Sequence, residues 1–201
     1  MIYLGVDREI FHPIEDTMTT KQKYSLPEKF ILDVGPFEPR RNITGLLKAY
    51  KKIKEKISEY KIVLVGNETD QLRREIRNLG LRTDVIFTGY VPMNDLVAIY
   101  SSASVFVHPS FYEGFGLQVL EAMSCGCPVI TSNTSSLPEV TGKAGLLVNP
   151  ENVDEISEAI YKVISDSGLR DRLVKEGFSQ VEKFSWQKTA EKTLEVYKSL
   201  L

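Results

Sequence analysis

Two glutamates eight residues apart, Glu113 and Glu121, frame a glycine turn (Gly114, Phe115, Gly116) in the stretch Ser110-Phe-Tyr-Glu-Gly-Phe-Gly-Leu-Gln-Val-Leu-Glu-Ala-Met123. The turn follows the apolar run Ser104-Val-Phe-Val107 and leads into helical spacing, so the local order is strand, turn, helix. In an open α/β sheet, ligands bind at that kind of junction. A helix entered through glycines offers free backbone N–H groups and the positive end of its dipole, which suits a phosphate or diphosphate. The main-chain amides of Gly116 and Leu117 are the expected donors. Glu121 lies little more than a turn inside the helix and leans back toward its start. A carboxylate there can accept two hydrogen bonds from a vicinal diol such as a ribose. Glu113 faces the same pocket from the loop. The two acids are about 12 Å apart along an ideal helix axis, so they suit different parts of one extended ligand rather than one bond. The plainer alternative is a pair of solvated acids beside glycines that merely cap the helix.

A second glycine turn, Gly35-Pro-Phe-Glu-Pro-Arg-Arg-Asn42, leaves the first strand at the same rim. Asn42 reads as the N-cap of the next helix. Arg41, next to that cap, is placed to reach a diphosphate, and Arg40 is a weaker candidate; both could equally be arginines on a solvated loop. Pro36 and Pro39 stiffen the turn. A third loop, Thr88-Gly-Tyr-Val-Pro92, offers Tyr90 and Val91 to a nucleobase, although an ordinary turn is the simpler reading. His108 reads as a core or rim histidine with a satisfied hydrogen bond more readily than as an acid. Phe111, Tyr112 and Phe115 are expected to pack around the turn and exclude water. Ser136 and Glu139 are expected to form a capping box.

The elements that must position these residues alternate. Strand patterns at Phe30–Val34, Ile62–Val65, Val85–Phe87, Val105–Val107, Pro128–Ile130 and Gly145–Val148 are separated by helical spacing at Asn42–Ile57, Thr69–Leu79, Met93–Tyr100 and up to Ser124. Short apolar runs without strict alternation, several ending in glycine, argue for a mostly parallel, doubly wound sheet of about six strands with helices on both faces. After Pro150 only helical spacing remains: Asn152–Ile164, Gly168–Val181 and Ser185–Leu201. Residues 1–29 lack sustained periodicity and read as a linker; residues 30–201 read as the domain.

Composition narrows the function. The chain's 201 residues carry a formal net charge of −2 with no block of like charge, which disfavours a basic nucleic-acid surface. There is no run of about 18 apolar residues to span a membrane, and the start does not read as a signal peptide. Cys125 and Cys127 match no common zinc spacing and read as buried thiols in a reducing compartment, the cytoplasm. The sequons at Asn42, Asn67 and Asn133 are read as chance.

The stretch from Ser110 to Met123, with Gly126-Cys-Pro-Val-Ile130, Ser132-Asn133, Leu137-Pro-Glu-Val140 and Ala144-Gly-Leu-Leu-Val148, closely resembles the retaining GT-B glycosyltransferases of family four, the glycosyltransferase group 1 domain. The resemblance covers about residues 30–200. It implies a C-terminal Rossmann-like domain that binds a nucleotide-diphosphate sugar, of UDP or GDP type, with no further cofactor. It implies that Glu113 contacts the transferred sugar at the reacting face, that Glu121 takes the ribose hydroxyls, and that Gly35, Gly114, Phe115, Gly116 and Leu117 line the donor. Arg41 stands where the family usually has a phosphate-binding lysine. Pro36 stands where it usually has an arginine, which leaves one fewer positive charge for the departing diphosphate. No Asp-x-Asp pair near the turn suggests a metal. The wording Glu-Pro-Arg-Arg-Asn is similar to that of mannosyl- and related transferases. Such enzymes are about twice this length, so the expected partner is an acceptor-binding N-terminal domain, and any peripheral membrane association is expected through that half alone. This piece by itself is expected to be inactive. A stand-alone sugar-nucleotide-binding module is the alternative from another class. A phosphorylase or epimerase of the same architecture is a third reading, disfavoured because no lysine stands out as an anchor for a pyridoxal cofactor.

Overall fold

The computed structural model describes residues 1–200. Six strands, β1 (Lys29–Val34), β2 (Tyr60–Val65), β3 (Val85–Phe87), β4 (Val105–His108), β5 (Val129–Ser132) and β6 (Gly145–Val148), form one sheet. Their order is β3-β2-β1-β4-β5-β6, and every pair is parallel. The order reverses between β1 and β4, which opens a crevice above their C-terminal ends. His108, expected just beyond its strand, is the last residue of β4.

The apolar runs follow from burial on both sides. Ile31 faces one core, with Leu46, Leu47 and Tyr50 of α2 (Ile43–Ile53) and Ile160 of α7 (Val153–Ser165). Its neighbours Phe30 and Leu32 face the other, with Tyr100 of α4 (Met93–Ser102) and Leu120 and Met123 of α5 (Leu117–Ser124). Successive strand side chains alternate faces, so a strand covered twice has no polar side to show. Beyond the sheet's first strand the other α-helices are α3 (Asp70–Leu79), α6 (Leu137–Thr141), α8 (Ser167–Val181) and α9 (Trp186–Lys198). The expected helix from Asn42 to Ile57 stops at Ile53; the residues after it turn so that Ile57 can enter the core. Leu201, included in the expected last helix, lies outside the described residues.

The first 29 residues hold an element that the sequence pattern does not announce. α1 (Met18–Lys23) buries only Thr20, so it carries no apolar stripe to read. It is held against α4 from its C-terminal end, where Lys23 Nζ and Tyr24 Oη reach Asp95 Oδ2 at 2.6 and 2.8 Å. Upstream, Val6 and Phe11 enter the second core, and Thr189 Oγ1 of α9 donates to the Tyr3 carbonyl at 2.7 Å. The approach is close enough to demand glycine at Gly5, where a Cβ would lie 2.1 Å from the Trp186 nitrogen.

Candidate functional site

Both glycine turns meet over the crevice, and their main chains are tied together. Asn42 caps α2 by accepting from the Gly45 N–H at 3.1 Å, and its amide also donates to the carbonyls of Pro109 (3.1 Å) and Pro150 (2.7 Å). The double duty requires a left-handed backbone at Asn42, φ +54°, which asparagine tolerates. The Phe111 N–H donates to the Arg40 carbonyl at 2.8 Å. Across the crevice, Ser136 Oγ donates to the carbonyls of Glu113 and Phe115, both at 2.9 Å, and the Glu113 N–H donates to Ser135 Oγ at 3.1 Å. The expected capping box is therefore absent: Ser136 makes no cap bond to α6, because its hydroxyl is spent on the glycine turn.

Glu113 is the centre of a buried charge cluster. Oε1 accepts from Ser110 Oγ at 3.0 Å and lies 3.1 Å from both Arg41 Nη1 and His108 Nε2. Oε2 accepts from Arg40 Nη1 at 2.8 Å. His108 Nδ1 lies 3.1 Å from Asp33 Oδ1, and its Nε2 lies 2.6 Å from Arg41 Nη1. Protonated, the ring donates to both acids; neutral, it donates to Asp33 and accepts from Arg41 or Ser110. Burial works against ionisation of Glu113, but the hydrogen bond from His108 and the charge of Arg41 overcome it and hold the carboxyl at about 2. For His108, burial disfavours the charged ring, yet Asp33 and Glu113 together raise its pKa above the ordinary value.

The neighbouring arginines differ sharply. Arg41 has a side chain 3% exposed and is pinned on Glu113 and His108, whereas that of Arg40 is 41% exposed and spans Glu38, Glu113 and the Tyr112 carbonyl. Arg40, the weaker candidate by sequence, is the one that solvent and ligands can reach.

Gly116 starts α5 with φ +102°, and a Cβ there would meet Leu137 Cδ2 at 2.8 Å. No side chain caps this helix start. Around Gly114 the space is open. Glu121 is partly buried, and Tyr100 Oη donates to its Oε2 at 3.0 Å. Burial raises the Glu121 pKa, with Tyr100 and Arg41 pulling it back in part. Phe115 packs against Tyr3 and Phe184 as expected. Phe111 and Tyr112 do not cover the turn; both rings are exposed, since it is the main chain that is tied inward.

Gly35 sits at the end of β1 with its N–H on the Val65 carbonyl. Tyr90 and Val91 follow β3, with β2 and β1 between them and the Glu113 cluster. Val91 is committed to the core, while the Tyr90 ring is 84% exposed. Asp33 is the member of this candidate site that the sequence reading missed. Its signal was a lone acid inside the apolar run Phe30-Ile-Leu-Asp-Val34, since a buried carboxylate needs a partner. Cys125 and Cys127 are buried and unpaired, as expected. Among the described residues, no helix is long and apolar enough to cross a membrane.

Fold and site together define a doubly wound, Rossmann-like α/β domain with a charged cluster and a glycine-entered helix at its topological switch point. The chain belongs to the family described as "Glycosyl transferases group 1", whose profile matches residues 16–180. It is 44% identical over 184 residues to O-antigen chain mannosyltransferase B of Escherichia coli, covering 89% of this chain and 48% of that protein. The chain thus spans about half the length of this curated relative. Sucrose-phosphate synthase from Thermosynechococcus elongatus superposes with a TM-score of 0.87 at 30% identity, over 99% of this chain and 52% of that one. Anabaena HepE, solved with UDP and glucose, shares the fold with a TM-score of 0.87 at 21% identity, over 98% of this chain and 56% of that one.

Proposed function

We propose that this domain binds a nucleotide-diphosphate sugar above β1 and β4, and that the protein it serves transfers the glycosyl group with retention to an acceptor held by a second, N-terminal domain. The observation that carries the reading is the junction itself: an uncapped helix start beside a carboxylate held by two guanidinium groups. The amides of Gly116 and Leu117 and the reachable guanidinium of Arg40 take the diphosphate, and Arg41 adds its charge from beneath while fixing Glu113. Arg40 thereby compensates for Pro36. Glu121 takes the ribose, and Glu113 orients the sugar at the reacting face, so that positioning and leaving-group stabilisation supply most of the rate. No metal or other cofactor enters this scheme. The donor is a UDP- or GDP-hexose, with mannose preferred because the 44% identical relative is named a mannosyltransferase. HepE, which shares the fold, was solved with UDP and glucose, and this fits a nucleoside diphosphate donor. The buried free thiols fit a cytoplasmic setting.

Titrating UDP, GDP and ADP while following thermal unfolding tests the reading. A true ligand at a hundred times its Kd adds about 2.7 kcal/mol of stability. Glu121→Ala is expected to abolish most of that gain. If no nucleoside diphosphate raises the melting temperature, or if Glu121→Ala leaves the gain intact, the donor-site assignment is wrong.

A further inference from the structure

A cavity of about 1320 Å³ opens between α8, α9 and the end of α6, and its lining includes no member of the Glu113 cluster. Six cations line it: Lys143, Arg172, Lys175, Lys183, Lys188 and Lys192. The acids in its wall are Glu139 and Glu176. The groove therefore holds a local excess of four positive charges on a chain whose net charge is −2. Among the described residues, the ion pairs include none of the six, although cation–acid pairs occur elsewhere over the surface. Two of them reach only neutral oxygens, Lys183 on Gln180 Oε1 at 2.7 Å and Lys188 on the Glu182 carbonyl at 3.2 Å.

Like charges collected around a concavity repel one another and are not needed for folding, since all six side chains are exposed. Their spacing gives the cluster a direction. Arg172, Lys175 and Lys183 lie on one face of α8 and its exit, and Lys188 and Lys192 stand one turn apart on α9. Both rows point across the same space. Tyr3 and Phe184 form an aromatic wall between them, and Phe184 stacks edge-on against Phe115 of the glycine turn with centroids 5.9 Å apart.

We propose that this groove is a second anion site, which binds a phosphate-bearing headgroup through the lysines of α8 and α9. The chemistry is that of several charge-assisted hydrogen bonds from mobile ammonium groups onto phosphate oxygens. An anionic phospholipid surface and a soluble polyphosphate both present it. None of the residues lining the groove is among those assigned to the donor.

The test compares wild type with a Lys175→Gln, Lys183→Gln, Lys188→Gln triple variant, whose melting temperature is expected to stay close to wild type because the side chains are exposed. Co-sedimentation with phosphatidylglycerol vesicles, with phosphatidylcholine vesicles as the neutral control, reads the lipid source. Calorimetric titration of tripolyphosphate in an Arg40→Gln background, which weakens the rim, reads the soluble one. Binding in either arm at about 0.1 M salt, weakened about a hundredfold on vesicles or about tenfold for tripolyphosphate in the triple variant, supports the site and names its source. Binding in neither arm, equal binding to neutral vesicles, or affinity unchanged by the three substitutions overturns it.

Discussion

Replacing Glu113 by glutamine is the sharpest probe of the charge cluster. The Glu113 side chain is 9% exposed and takes Arg40 at 2.8 Å and Arg41 at 3.1 Å. A carboxylate held at about 2 instead of its ordinary 4.5 stabilises the fold at neutral pH. At about 1.36 kcal/mol per pH unit, that contribution is about 3 kcal/mol. A separate argument reaches the same range. Without Glu113, the buried Arg41 keeps only His108 as a partner, and breaking a buried ion pair from one side costs roughly 3–5 kcal/mol.

The sign of the pH dependence follows from the direction of the shift. The folded state gives up the Glu113 proton more readily than the unfolded chain does, so the stabilisation is complete above pH of about 4.5 and drains away as the pH falls toward about 2. Urea denaturation of wild type and Glu113→Gln at pH 7, 5 and 3 measures it. The gap between the two proteins is expected to be about 3 kcal/mol at pH 7 and to shrink to about 1 kcal/mol near pH 3. A gap below about 1 kcal/mol at pH 7, or one that stays constant down to pH 3, would refute the claim that Glu113 is ionised and held by the cluster.

Three further outcomes are expected. Gly116→Ala forces a Cβ to 2.8 Å from Leu137 at φ +102°, so it should lower stability by about 1–3 kcal/mol in thermal melts and weaken nucleoside diphosphate binding, since it moves the start of α5. Arg40→Gln should keep the wild-type melting temperature to within a few degrees while weakening diphosphate affinity about tenfold in calorimetry, whereas Arg41→Gln should destabilise the fold itself. Burial pushes the Cys125 thiol up to about 12 and Cys127 higher still, so neither should react with a disulfide-exchange reagent at pH 8 until denaturant is added.

Much of the architecture was legible because a sheet covered on both faces leaves short, mostly apolar runs, and glycines mark where several strands turn at the rim. α1 was not legible: a six-residue helix, polar but for Met18 and held by its end contacts, leaves no period. The members of the charge cluster could be seen one at a time, as a histidine, an acid and an arginine pair. Their convergence could not, since it depends on β1 lying beside β4 and bringing Asp33 to His108 across 75 positions of sequence. Local chemistry also misled where a tertiary partner outbid it, as when the Ser136 hydroxyl left its helix for the carbonyls of Glu113 and Phe115.

The arginine pair shows most clearly what sequence withholds. Arg40 and Arg41 are adjacent and equally charged, and the sequence favours Arg41 only for its place beside the Asn42 cap. The structure winds them into a single 3-10 turn, Pro39–Arg41, in which successive side chains point about 120° apart. Two neighbours on such a turn at the lip of a crevice cannot both face its floor. One must go in, and the inward position is set by the Asn42 cap, which fixes the next residue against α2 and the Pro109 carbonyl. Arg41, directly before that cap, is carried onto Glu113 and His108, and Arg40 is left at the lip. An arginine buried against a carboxylate can set the acid's charge and orientation. The guanidinium left outside is the one that can meet a diphosphate arriving from solvent.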